Sequence, residues 1–250
     1  MMITQRKFGW LPDRPDDRDV VFSCMKPADF TRIHDLRWAG VIPPVRDQLD
    51  IGACTGFGTT GGAWSAMLSD KTFNTPAFHP SELFPYFNGR QDKNNDTGAS
   101  IREVVKATAT FGLAPVETWL YDVKNVCIKP SERAFSQALK FKTIKYARVE
   151  QTEQAIVNTL ASGYPIIFGH LCYENFYHIG TDGMVPMPKG KLQGGHCELA
   201  MGFNLNINRI ITQNSWGEAR GFRGYEYFSF DHILNPAYCM DFWVIYEVSI

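Results

Sequence analysis

The apolar residues of this chain change their spacing near residue 163, and that change bounds the fold. ASIREVVKATATFG, residues 99–112, sets Ile101, Val104, Val105 and Thr108 at helical spacing, and Gly112 stops the pattern. SELFPYFNGR (81–90) suggests another helix, and TEQAIVNTLASG (152–163) repeats the pattern. Beyond residue 163 the character changes: YPIIFGHLCY, CELAMGFNL, RIITQNSW, GYEYFSF and FWVIYEV are β-rich runs separated by turn residues. Helices first and strands later point to an α+β protein. No internal repeat or low-complexity segment interrupts the order.

CTGFGTTGGAWSAMLSD, residues 54–70, also reads as a helix, although its four glycines lower intrinsic propensity by roughly 1 kcal/mol each against Ala. Such a helix forms only when buried. It opens on Cys54, and a thiolate at a helix N-terminus is stabilised by the helix dipole and by a nearby protonated His. Three distant stretches then carry one chemistry: QLDIGACTGF (48–57), GGHCELAMGF (194–203) and QNSWG (213–217). A thiol attacking an acyl carbon needs an oxyanion donor, a proton acceptor and a group that orients the acceptor. Gln48, Cys54, His196 and Asn214 fill these roles. Singly, Cys54 would be a buried structural thiol and His196 a satisfied strand histidine; the combination favours catalysis.

From about Pro43 to the C-terminus these motifs resemble the papain-like cysteine peptidases. That family's nucleophile signature is C-G-[SA]-C-[WY], with His and Asn well downstream. Gly52, Ala53 and Cys54 agree with it, while Ile51 and Thr55 do not; His196 follows Cys54 by 142 residues and Asn214 by 160. The resemblance implies two lobes, a helical left lobe over about 41–130 and a β-barrel-like right lobe over about 131–250, with the active site in the cleft between them. It also implies an oxyanion hole made by the Cys54 backbone N–H and the Gln48 amide. Asn214 would accept the imidazole N–H, and Trp216 would shield that bond. Gly98 would form the substrate-cleft edge, and Gly195 leaves a specificity pocket without a side chain. His34, His79, His170, His178 and His232 are read as structural. Thr55, where relatives carry an aromatic, reshapes the cleft wall without removing a chemical group.

Composition limits the remaining possibilities. The chain has 250 residues, 44% of them hydrophobic, enough for a substantial core. A net charge of −1 and a pI near 6.6 provide no basic field for nucleic acid or an anionic membrane. No run approaches the length of a membrane span, and no export signal is visible at the N-terminus. Six cysteines leave an odd five once Cys54 is reserved for chemistry, and Ile51 stands where secreted relatives have a disulfide cysteine. A reducing, cytoplasmic or otherwise non-secreted setting is expected, a larger assembly included. The oligomeric state is left open.

Two motifs are decoys on this reading. Gly56 to Gly61 spells GxGxxG, but QLDIGAC is a poor strand to feed a dinucleotide loop. DKNNDTGASIRE (92–103) resembles a calcium loop with Asp92, Asn94, Asp96 and Glu103, but Thr97 stands where the loop needs Gly. No metal and no cofactor are expected.

Residues 1–40 form a separate section, with Pro12, Pro15 and a cluster of Asp and Arg marking turns. Phe8, Trp10, Leu11, Val20, Val21 and Phe22 are too many for a solvated tail, so the section packs on the body. The cleft and the back of the right lobe are both open to it. The expected activity is hydrolysis of a peptide or protein substrate through an acyl-thioester on Cys54. Two alternatives keep the fold: transfer of the acyl group to an amine, and a structural or binding protein whose cleft is occluded.

Overall fold

The computed structural model describes residues 6–24, 31–69 and 78–249. In chain order the elements are β1 (Ile33–Asp35), α1 (Cys54–Ser69), α2 (Leu83–Gly89), α3 (Ile101–Phe111), α4 (Glu132–Ala138), β2 (Lys142–Arg148), α5 (Glu153–Ala161), β3 (Ile166–Tyr173), β4 (Leu192–Asn204), β5 (Arg209–Gln213), β6 (Tyr225–Ser229), α6 (Phe230–Ile233) and β7 (Cys239–Ser249). The strands make one antiparallel sheet in the order β2-β7-β3-β4-β5-β6, with β1 added beside β4. The protein is therefore α+β, as the change in spacing requires. No helix among the described residues is long and apolar enough to cross a membrane.

Local chemistry explains the helix ends. Ser100 caps α3 by accepting from the Glu103 N–H, and Gly112 ends it at φ +88°, a left-handed conformation that favours glycine. Ser131 and Thr152 cap α4 and α5 in the same way. The expected α1 ends at Ser69, and Asp70, last residue of the sequence pattern, lies outside the described residues.

The glycines of α1 answer to packing. A Cβ on Gly56 would lie 2.5 Å from the Glu82 carbonyl oxygen, and one on Gly58 would lie 2.9 Å from Cys197 Sγ. The helix thus sits against the start of α2 on one side and against β3 and β4 on another. The GxGxxG spelling lies wholly inside this helix, with no strand feeding it. Ala63, Met67, Ile101, Ile167, Leu199 and Trp243 close one core between α1, α3 and the sheet. A second core lies between the sheet and α5 and α6, built on Ile156, Leu160, Phe168, Phe203, Phe228 and Phe242. Cys54, at the start of α1, is held between the helices and β4.

The described residues among the first forty divide in two. Ile33–Asp35 extend the sheet as β1, while residues 6–24 run as an extended strap. Trp10, 2% exposed, belongs to the same core as Cys54. Farther along, Asp13 accepts from the Trp243 indole (2.8 Å) and from Arg148 (3.1 Å), and Asp19 pairs with Arg102 and Arg148. Phe22 packs on Tyr164 and Tyr246.

Candidate active site

Cys54 is the first residue of α1 and is fully buried. Backbone N–H groups of Cys197, Gly9 and Thr55 point at its sulfur. Burial outweighs these donors and pushes the thiol up to about 12. Because Cys197 follows His196 on β4, its N–H sets the thiol beside the histidine's own strand.

His196 Nε2 lies 3.1 Å from Asn214 Oδ1. The orientation of the Asn214 amide is set by its other contacts: Nδ2 donates to Glu226 Oε1 at 2.9 Å and to Glu198 Oε1 at 3.3 Å. Two carboxyl acceptors fix the nitrogen on that side and the oxygen toward the ring. His196 Nε2 must then carry the hydrogen, which leaves Nδ1 as a lone pair. Nδ1 is buried without a hydrogen-bond partner. Burial, and after it the neighbouring His170, holds the imidazole well below its ordinary pKa, so the ring is neutral in this form. The Trp216 ring lies 4.8 Å from it, tilted against the imidazole.

Gln48 completes the group. Its Oε1 accepts from Ser215 (2.6 Å), and its Nε2 donates to the carbonyls of Ile51 (2.8 Å) and Lys7 (3.1 Å). Ser215 is next to Asn214 in the chain, so the segment after β5 positions the histidine's partner and the glutamine together. Thr55 is fully buried rather than lining an open wall.

The remaining expected cleft residues all meet the strap. Trp10 N–H donates to the Gly195 carbonyl (3.0 Å), and Ala99 N–H donates to the Gly9 carbonyl (2.8 Å). A Cβ on Gly98 would meet the Gly9 carbonyl at 2.5 Å, and one on Gly195 would meet that of Trp10 at 2.5 Å. Phe8 packs 5.9 Å from Trp216 and edge-on to His196 at 6.4 Å. Gly98, Gly195, Trp216, Gln48, Cys54 and His196 thus surround residues 7–10. Two ion pairs fix the segment's start, Arg6 with Asp47 and Lys7 with Asp96 at 2.7 Å.

The loop resembling a calcium site has its carboxylates engaged by protein donors. Asp96 accepts from the Gly52 N–H, the Tyr86 hydroxyl and Lys7, while Asp92 accepts from Asn94 and Asn95. Glu103 lies in the first turn of α3.

The sequence reading missed the acids behind Asn214. His170, Glu198 and Glu226 form a buried cluster there with Arg220 partly exposed at its edge, and only His170 is noted in the sequence, as a structural residue. Alternation offered a cue, since Glu198 lies two residues after His196 on one strand and so shares its face.

Comparison with known proteins agrees with this geometry. The sequence profile described as papain family cysteine protease matches residues 31–235. An uncharacterized peptidase C1-like protein from Acanthamoeba polyphaga mimivirus is 32% identical over 276 residues, covering 98% of this chain and 88% of its own length. The crystal structure of xylellain, a cysteine protease from Xylella fastidiosa, superposes with a TM-score of 0.86 at 30% identity, covering 99% of both chains. The bromelain protease of Ananas comosus shares the fold at a TM-score of 0.64 and 21% identity, over 80% of this chain and 90% of its own. With the motifs at residues 48, 54, 196 and 214 gathered around one buried thiol, the chain belongs to the papain family of cysteine proteases.

Proposed function

We propose that this peptidase hydrolyses peptide bonds through an acyl-thioester on Cys54, and that the form described here is latent, closed by residues 7–10. In the open form, water reaching the site lowers the cost of charge. Cys54 passes its proton to His196 Nδ1, and the thiolate attacks the substrate carbonyl carbon, forming a C–S bond. The carbonyl oxygen takes the negative charge and is held by Gln48 Nε2. His196 then gives its proton to the leaving amine as the C–N bond breaks. Water attacks the thioester with His196 as base, releasing the carboxylate and restoring the thiol.

The supporting observation is the Lys7 carbonyl on Gln48 Nε2, 3.1 Å away. A peptide carbonyl already occupies the donor proposed for the oxyanion, beside a sulfur to which the Gly9 N–H is directed. The strap thereby satisfies the same groups that a substrate would use. Part of the groove stays open: a depression of about 710 Å³ lined by Leu11, Pro12, Gly89, Gly98, Ala99 and Arg102 borders the covered centre.

An irreversible thiol-directed peptidyl electrophile tests this reading. It should label Cys54 and abolish hydrolysis, and Cys54→Ala should lose both while keeping its thermal transition. Labelling that persists at Cys197 or Cys172 in that variant would refute the assignment. A protein that is never labelled and never hydrolyses peptides, even with the strap removed, would instead be a binding protein that keeps the fold.

A further inference from the structure

The acids behind Asn214 are built into the sheet. Thr212 Oγ1 donates to Glu198 Oε2 (2.6 Å), and His170 Nε2 lies 3.2 Å from Glu198 Oε1, which also takes the Asn214 amide. Arg220 Nε donates to Glu226 Oε1 (2.6 Å), the oxygen that takes the other Asn214 N–H (2.9 Å). Glu226 Oε2 has no hydrogen-bond partner, and the two carboxyl groups meet through the Asn214 nitrogen, which donates to one oxygen of each. The two acids thus converge on one amide nitrogen, and the Arg220 guanidinium lies against Glu226.

We propose that Glu198 and Glu226 are positioning residues of the peptidase site: together they hold the Asn214 amide with its oxygen on His196 and steady the imidazolium that forms there. The proposal rests on the peptidase reading above. Reversing the amide would set its NH2 against the His196 N–H and its oxygen against two carboxyl groups. The same contacts polarise the amide, since hydrogen bonds to an ionised acceptor are the stronger kind, and place negative charge beyond its nitrogen. A purely structural acid pair would need no member of the catalytic group in its network, whereas both acids here meet on one Asn214 nitrogen.

Burial is the first cause of a raised carboxyl pKa in both, to about 7 for Glu198 and about 8 for Glu226. The groups facing the pair are His170 and Cys172 from β3, His196 from β4, Arg220 from the segment before β6, His232 from α6 and Cys239 from β7. Of these, Arg220 alone carries charge at pH 7, because burial keeps the histidines neutral and the thiols protonated.

The test uses the full chain and two readouts: kcat and KM for a peptide substrate, and the pH profile of Cys54 alkylation by iodoacetamide, which needs no turnover. Glu226→Met keeps the volume and removes the acceptor; kcat should fall by about tenfold or more with KM within about twofold. Glu226→Gln restores an acceptor and should recover a large part of that loss. If Glu226→Met does not accumulate as folded protein, the isosteric double variant Glu198→Gln, Glu226→Gln carries the comparison. It keeps hydrogen bonding but removes the charge, so the imidazolium is less stable, and both the alkaline limb of kcat/KM and the step in the alkylation profile where the imidazolium loses its proton should move down by about half a pH unit or more. A folded variant with wild-type kcat and a wild-type alkylation profile would overturn the proposal, as would Glu226→Gln proving no better than Glu226→Met. Hydrolysis that survives Cys54→Ala, or is missing even after the strap is removed, would count against the peptidase reading instead, and the alkylation profile would still report on the positioning.

Discussion

Each polar atom of the Gln48 side chain is committed, the oxygen to Ser215 and the nitrogen to Ile51 and Lys7. Only the Lys7 contact can be exchanged for a substrate, since the other two lie within the body that builds the site. Gln48→Ala should therefore lower kcat by about 10²- to 10³-fold, the usual effect of losing one oxyanion donor. Steady-state kinetics of Cys54-dependent hydrolysis would read it, and a kcat within a few-fold of wild type would remove Gln48 from the mechanism. Gln48, Cys54, His196 and Asn214 were legible because each sits in a short motif of fixed spacing. Glu198 and Glu226 were not, although each is a lone acid within an apolar strand. Their meeting depends on the register of β4 on β5 and of β5 on β6, with Leu199 facing Gln213 and Thr212 facing Glu226, and register is a property of the assembled sheet.

The position of α1 is set by what its glycines omit. On an exposed helix Gly→Ala gains about 1 kcal/mol of propensity. At Gly56 the added methyl would lie 2.5 Å from a backbone oxygen at the start of α2, which cannot swing aside as a side chain would. Overpacking of this kind costs about 1–3 kcal/mol, so Gly56→Ala should destabilise the protein on balance. A thermal melt should show a fall of a few degrees, and a rise would mean that α2 yields freely. Propensity alone argues against α1, and the sequence pattern found it through its apolar content and the need for burial. Helix periodicity likewise made α3 and α5 legible, and the β-rich runs marked β3 to β7. β1 and β2 were missed for a physical reason: Ile33–Asp35 is only three residues, and Lys142–Arg148 carries three cations on an edge strand, leaving little apolar alternation to read.

Across the whole molecule, residues 6–24 and 31–40 do two jobs that the sequence could not divide. β1 extends the sheet, so a deletion through residue 37 would strip β4 of a neighbour as well as open the cleft. A deletion of residues 1–11 isolates the strap, because it removes Phe8, Gly9 and Trp10 and leaves Asp13 and Asp19 on Arg102 and Arg148. Losing the buried Trp10 side chain removes about 3–5 kcal/mol of packing, so the thermal transition should fall. Cys54 responds in the opposite sense. Its thiol stands at about 12 because burial disfavours the anion, and His196 is depressed for the same reason. Exposure lowers the first and raises the second, so the shorter chain should hold the thiolate and imidazolium over a wider pH range. Between those two ionisations the proton only moves from sulfur to nitrogen, and opening takes up no net proton. Below the thiol's new pKa the open form binds one proton more than the closed form, and above that of the imidazolium it binds one fewer. Opening is thus favoured on both sides of a flat central range. Alkylation by iodoacetamide should accordingly be about tenfold faster or more near pH 7 in the shortened protein, with its acid limb moved to lower pH, if one pKa unit of relief is realised. A shortened protein that still melts cooperatively and alkylates at the full-length rate would show that residues 7–10 pack on the cleft without governing it.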